Sequence, residues 1–281
     1  MKSLVYTILV LLFVSCEVEG VKKDANTNLT NKKSIKKELT AFNSDNLEVS
    51  STKNLENGLK ISWIEKGEGE NIKKGDVVII DYKVTLKNGT VVDGNHLLNK
   101  ASFPFMVGFE MQTKGWDLAL EQLRVGDFAR ILIPANLARG EKGIKGLIPP
   151  NSDNFLSIRI LSKLNPTRTI DGVKVWLFEE NKANKLTFND NNSVTFHSII
   201  SSESHPMYYN SFRTNAPYNL RMTDKGIVPG LKKALKKSKK ADRMYILVPS
   251  SQAYGEQGLE EFVGSNEDIF YNVVVMDVTK N

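Results

Sequence analysis

The residues in this chain that could do chemistry are mostly aromatic, and the common catalytic arrangements are missing. Its single cysteine, Cys16, ends an apolar N-terminal run and forms no Cys-His pair, and no Ser-His-Asp set is evident. His96, His197 and His205 show no metal-ligand spacing with cysteine or carboxylates, so no metal site is expected. Gly67-Glu68-Gly69 lacks the third glycine and following helix of a dinucleotide loop, and no cofactor is expected. What remains is a series of rings with two carboxylates among them. It runs through Asp81-Tyr82, Val92-Asp93-Gly94, Phe103-Pro104-Phe105, Gly115-Trp116 and Leu147-Ile148-Pro149-Pro150. Such a set offers no nucleophile; it can line a dry hollow with a few polar edges.

The elements that must position these residues occur twice. Gly115-Trp116-Asp117-Leu118-Ala119-Leu120 answers Gly230-Leu231-Lys232-Lys233-Ala234-Leu235 at an offset of 115 residues, and Ile131-Leu132-Ile133-Pro134 answers Ile246-Leu247-Val248-Pro249. Ala138, Gly140, Glu141 and Gly143 answer Ala253, Gly255, Glu256 and Gly258. A period this long means duplicated domains rather than a solenoid. The β-branched and apolar runs Val77 to Leu86, Phe128 to Pro134 and Phe155 to Leu161 predict strands, as do Val194 to Ile200, Met244 to Pro249 and Ile269 to Val278. Asn88-Gly89 predicts a tight hairpin turn. Trp116, Ala119, Leu120 and Leu123 share one helical face, as do Leu231, Ala234 and Leu235, while lysines crowd the rest of the second helix. That lysine-rich face reads as solvated, or as a docking surface for an acidic partner or anionic lipid. One short helix against an antiparallel sheet, twice in tandem, is an α+β chain.

Composition sets the remaining bounds. The 281 residues are 41% hydrophobic and 25% charged, which is globular, and a net charge of +6 demands no nucleic-acid partner. Val5 to Val14 is too short to span a bilayer but suits the apolar region of a signal peptide. Phe13-Val14-Ser15-Cys16 resembles the lipobox of bacterial lipoproteins, with Phe13 where leucine is usual. The resemblance implies cleavage before Cys16, a lipid on that residue, and residence at the bacterial cell envelope. An ordinary secretory peptide with a chance cysteine is the alternative. Residues 17–56 are rich in Lys, Asn, Ser and Thr and predict a flexible tether; a coil of that length spans on the order of 35 Å. The first folded copy is then expected over 57–165 and the second over 166–281.

Taken in order, the ring-bearing motifs of residues 58 to 163 resemble the FKBP-type peptidyl-prolyl isomerases. The Gly108-to-Trp116 spacing and the closing Ile148-Pro149-Pro150 are the most specific parts. The family fold is a twisted antiparallel sheet curled around one short helix. The implied activity is rotation about X-Pro amide bonds, whose resonance barrier is roughly 18–20 kcal/mol. The implied substrates are proline-containing segments of envelope proteins. A dry aromatic pocket excludes the water that favours the planar amide and so favours the twisted form. The resemblance assigns the catalytic pocket to Tyr82, Asp93, Phe103, Trp116, Leu147, Ile148 and Leu156. Trp116 would be its floor, with Tyr82 and Asp93 as hydrogen-bonded polar edges. Val92, Phe105, Gln112, Thr113, Ala138 and Arg139 would surround the substrate. Trp116 also fits a plain core residue, and Asp93 a plain turn residue.

Departures from the family pattern bear on both copies. Val92 stands for the usual Phe, Gln112-Thr113 for Val-Ile, and Arg139 for a tyrosine, which removes a hydroxyl donor. A weakened or specialised first pocket is expected. The second copy, over about 172 to 279, keeps Ile227-Val228-Pro229-Gly230 and Ala253-Tyr254-Gly255. Leu231 replaces its tryptophan, His197 is expected at the tyrosine position, Phe212-Arg213 at the Phe-Asp position, and the Ile-Pro-Pro segment is absent. Its pocket is expected to involve Phe212, Ile227, Val228, Tyr254 and Tyr271, and to bind rather than catalyse. The competing reading for the whole chain is an inactive interaction protein.

Overall fold

A computed structural model describes residues 47–95, 97 and 102–280 as two seven-stranded antiparallel sheets. Cys16, the signal segment, His96 and residues 17–46 of the expected tether lie outside the described residues. The first domain comprises β1 (Ser51–Asn54), β2 (Lys60–Glu65), β3 (Val77–Thr85), β4 (Val91–Gly94), β5 (Phe103–Met106), α1 (Lys114–Leu120), β6 (Phe128–Ile133) and β7 (Asn154–Leu164). Its strand order is β1-β2-β6-β7-β3-β4, with β5 also on β3. The second comprises β8 (Arg168–Ile170), β9 (Val173–Glu179), β10 (Asn192–Ser202), β11 (Tyr209–Asn210), α2 (Ser211–Thr214), β12 (Tyr218–Arg221), α3 (Pro229–Leu235), β13 (Arg243–Val248) and β14 (Ile269–Lys280). Its order, β8-β9-β13-β14-β10-β11 with β12 on β10, repeats the first strand for strand. The single turn α2 was not expected.

Alternation explains the cores. Along β3, Val78, Ile80, Tyr82 and Val84 point inward and meet Trp116, Ala119, Leu120 and Leu123. Val194, Phe196 and Ile200 do the same against Leu231, Ala234 and Leu235. Close approach of each helix to its sheet depends on glycine: a Cβ on Gly115 would stand 2.3 Å from Ile133 Cγ2, and one on Gly230 2.4 Å from Val248 Cγ1.

Two expectations about the chain's course are corrected. Ser51–Asn54 belongs to the fold, not to the tether: it pairs residue for residue with Lys60–Trp63, and Leu55 packs on the first core. Its short polar side chains carry no apolar signal, because the strand is held through its backbone at a sheet edge. Register corrects the second expectation. Both domains carry a bulge at matching points, between Ile79 and Ile80 and between Thr195 and Phe196. Tyr82 pairs with Ile158, and Val273, the counterpart of Ile158, pairs with Ser198. Ser198 therefore holds the tyrosine position. His197 points to the opposite side, its Nδ1 3.0 Å from Ser211 Oγ and its ring stacked on Phe212 at 4.6 Å.

The domains meet in a third core. Val77, Met106 and Phe109 of the first pack against Trp176, Tyr245, Leu247 and Phe270 of the second, with Leu164 and Phe178 at the margin. Trp176 Nε1 donates to the Leu164 carbonyl at 3.0 Å, and Tyr245 Oη to the Pro104 carbonyl at 3.1 Å. Lys74 and Glu203 form an ion pair between the domains.

Candidate functional site

In the first domain the expected pocket residues come together. Trp116 is 2% exposed and lies on the inner face of α1. Its ring stacks on Phe105 at 5.5 Å and 18°, and meets Tyr82 edge-on at 5.1 Å. Phe103 completes the wall, 6.2 Å from Tyr82. Val92, Ile148 and Leu156 are buried in the same cluster, with Ala138 packed against it, while Leu147 is 40% exposed at the rim. Sheet alternation supplies Tyr82, Phe103 and Phe105; the helix supplies Trp116; the loop between β6 and β7 supplies Leu147 and Ile148.

The polar edge follows from the same framework. Tyr82 Oη donates to Asp93 Oδ1 at 3.3 Å, and that oxygen also accepts the Gly94 N–H at 2.7 Å. Burial, with Asp93 alongside, pushes the Tyr82 phenol well up, so it remains a protonated donor. Arg139 replaces the expected hydroxyl donor with a guanidinium, whose Nη2 donates to Gln112 Oε1 at 2.8 Å. Burial pulls the Arg139 pKa down while Asp93 draws it back up. Thr113 precedes the helix and is buried, with no partner for its hydroxyl among the described residues.

The loop carrying Ile148 is closed by its own backbone. The Ile144 N–H donates to the Ile148 carbonyl at 2.7 Å and the Ile148 N–H returns to Ile144 at 2.8 Å. In the second domain Leu259 and Val263 exchange the same pair of bonds, each at 2.9 Å. The segment expected to be absent there is retained as Phe262-Val263; only its prolines are gone.

The second domain holds an open cavity of about 300 Å³ at the equivalent place. Ile227, Val228, Tyr254 and Tyr271 line it as expected, and Phe212 does not. Val84 pairs with Asp93, and Ile200, the counterpart of Val84, pairs with Tyr209. Tyr208-Tyr209, not Phe212-Arg213, thus occupies the place of Val92-Asp93; Phe212-Arg213 lies in α2. By the same pairing Tyr218 stands for Phe103 and Leu220 for Phe105.

A family model described as FKBP-type peptidyl-prolyl cis-trans isomerase matches residues 68–161 and again 184–276. The chain belongs to the FKBP-type peptidyl-prolyl isomerase family. FK506-binding protein 1 from Candida glabrata is 38% identical over 109 residues, 38% of this chain and 94% of that protein. Peptidyl-prolyl cis-trans isomerase FKBP10 from Homo sapiens is 27% identical over 206 residues, 73% of this chain and 35% of that protein. Among solved structures, the three FKBP domains of wheat FKBP73 cover 83% of this chain and match over 100% of their own length, at 19% identity and a TM-score of 0.40.

The activity is accordingly that of an FKBP-type isomerase, and the first domain keeps most of the expected pocket. Sequence reasoning missed Tyr208, Tyr209, Tyr218 and Phe262 in the second. It matched Phe212-Arg213 by residue type. Carrying the strand's one-residue-longer offset forward to the next strand would have placed Tyr208-Tyr209 correctly.

Proposed function

We propose that the first domain carries the isomerase activity and that the protein is a folding factor at the bacterial cell envelope, tethered through lipid on Cys16. One observation carries the catalytic part: Trp116 is clamped between Phe105 and Tyr82, with Asp93 fixed to the Tyr82 hydroxyl. A prolyl ring on that floor leaves its amide in an apolar wall. A twisted amide loses resonance and much of its dipole, so loss of water costs it less than it costs the planar form. Arg139 would donate to the flanking carbonyls, with the hydrogen-bonded Tyr82 and Asp93 as the polar edge. The apolar run ending at Cys16 supports the envelope placement, and proline-containing segments of envelope proteins are the proposed substrates.

A protease-coupled assay on a short X-Pro peptide tests the catalytic part. Trp116→Ala is expected to lower kcat/KM by about tenfold or more, corresponding to at least about 1.4 kcal/mol of transition-state stabilisation. Wild-type rates in a folded Trp116→Ala protein would sink it. Radiolabelled palmitate on Cys16, lost in Cys16→Ser, tests the anchor.

A second reading, binding without turnover, is favoured by Arg139, which is held over the pocket by Gln112. It predicts peptide binding with no acceleration in wild type, and acceleration gained in Arg139→Tyr.

A further inference from the structure

The second domain's cavity has changed its lining in one consistent direction. Leu231 stands where the first domain has Trp116, so the floor has lost an indole. Tyr208, Tyr209, Tyr218, Tyr254 and Tyr271 stand for Val92, Asp93, Phe103, Arg139 and Leu156. Both charged groups of the first pocket are gone, and no described residue lining the cavity is charged. Burial pushes the phenols of Tyr208, Tyr218, Tyr254 and Tyr271 upward, so they stay neutral donors.

This lining discriminates among ligands. A cation entering it meets no carboxylate. A ring face returns about 2 kcal/mol or more to a desolvated cation, against several kcal/mol for removing an ion from water with no carboxylate to pair it. A pyrrolidine ring leaves the space vacated by the indole unfilled, and its facing atoms lose their dispersion contacts. A flat aromatic ring fills that depth. It finds paired walls in Phe196 with Tyr218, stacked at 5.3 Å, and Tyr208 with Phe262, stacked at 5.5 Å. Each favourable ring pair adds about 0.5–1.5 kcal/mol beyond burial. Phe262 is 43% exposed at the cavity's margin, and the clustered phenols can hydrogen-bond peptide groups. The family's activity is on polypeptide, which sets the class of molecule that carries the ring.

We propose that this cavity binds an uncharged aromatic side chain on an extended polypeptide segment, and that the second domain holds chain rather than isomerising it. The inference stands apart from the catalytic reading of the first domain.

Calorimetric titration of the full chain with blocked Gly-Ser-X-Ser-Gly peptides tests it, with X as Phe, Pro or Lys. The Phe peptide is expected to bind at least about tenfold more tightly than either other peptide. Leu231→Trp, which refills the floor, should weaken that binding about tenfold and leave prolyl isomerisation at the wild-type rate. Should that variant misfold, Phe262→Ala at the margin should weaken binding about threefold, with the same unchanged rate. Equal or tighter binding of the Pro or Lys peptide overturns the proposal. So does Phe-peptide binding that is lost in Trp116→Ala but kept in Leu231→Trp and Phe262→Ala, and so does no saturable binding by the folded protein.

Discussion

At the scale of single residues, Asp117 shows how closely the pocket and the fold's stability are joined. It follows Trp116 on α1, is buried, and accepts the Glu110 N–H at 2.7 Å through one oxygen. The other oxygen has no partner among the described residues. Burial is the main cause that pushes its carboxyl from the ordinary 3.8 up to about 7. The folded chain therefore binds this proton more tightly than the unfolded chain does. Its contribution to stability is fullest below about 4 and is lost as pH rises to about 7. The melting temperature should fall between about pH 4 and pH 7, and Asp117→Asn should flatten that slope; an equally steep slope in the variant would assign it to other groups. Residue identity made Tyr82, Asp93 and Trp116 legible in the sequence, through the order and spacing of motifs that resemble the FKBP-type pattern. His197 was misplaced because face, in a strand, is a matter of parity, and one extra residue upstream reverses it.

At the scale of elements, the loop between β6 and β7 sets part of the pocket's shape. Gly143 lies at φ +54°, and a Cβ there would stand 2.3 Å from the Ile148 carbonyl oxygen. Gly143→Ala should push Leu147 and Ile148 off the rings, raising KM several-fold at a stability cost of roughly 1–3 kcal/mol. Gly258→Ala makes the same clash with the Val263 carbonyl in the second domain, also at 2.3 Å, and should leave isomerase activity unchanged. Steady-state kinetics on the two variants reads the difference. Helices α1 and α3 and the strands β3, β6, β7, β10, β13 and β14 were legible from apolar and β-branched runs; the shorter or edge strands were not. β1 was not, because an edge strand held by backbone bonds needs no apolar face, and α2 was not, because four residues are too few to show a period.

At the scale of the whole molecule, the third core makes one body of two repeats. Its residues were hidden in the sequence: Trp176, Tyr245, Leu247 and Phe270 belong to strands that bury both faces, so they read as ordinary strand residues. Tyr245 reaches the Pro104 carbonyl, between the pocket rings Phe103 and Phe105. Tyr245→Phe leaves that carbonyl unpaired and should cost about 1–3 kcal/mol in chemical denaturation of the full chain. It should also raise KM for the first domain; unchanged kinetics would mean that β5 holds its place unaided.

The seam joins unlike surfaces, and such a contact, if each domain offered both halves, would grow head to tail into a filament. The chain's own substitutions forbid it. Where the first domain presents Val77, Met106, Phe109 and Leu164, the second has Ser193, Arg221, Asp224 and Thr279, with Ser193 and Thr279 bonded to each other at 2.8 Å. Where the second receives them on Trp176 and Tyr245, the first has Ser62 and Arg130. Each repeat is sticky on one side only, so the pair is self-terminating.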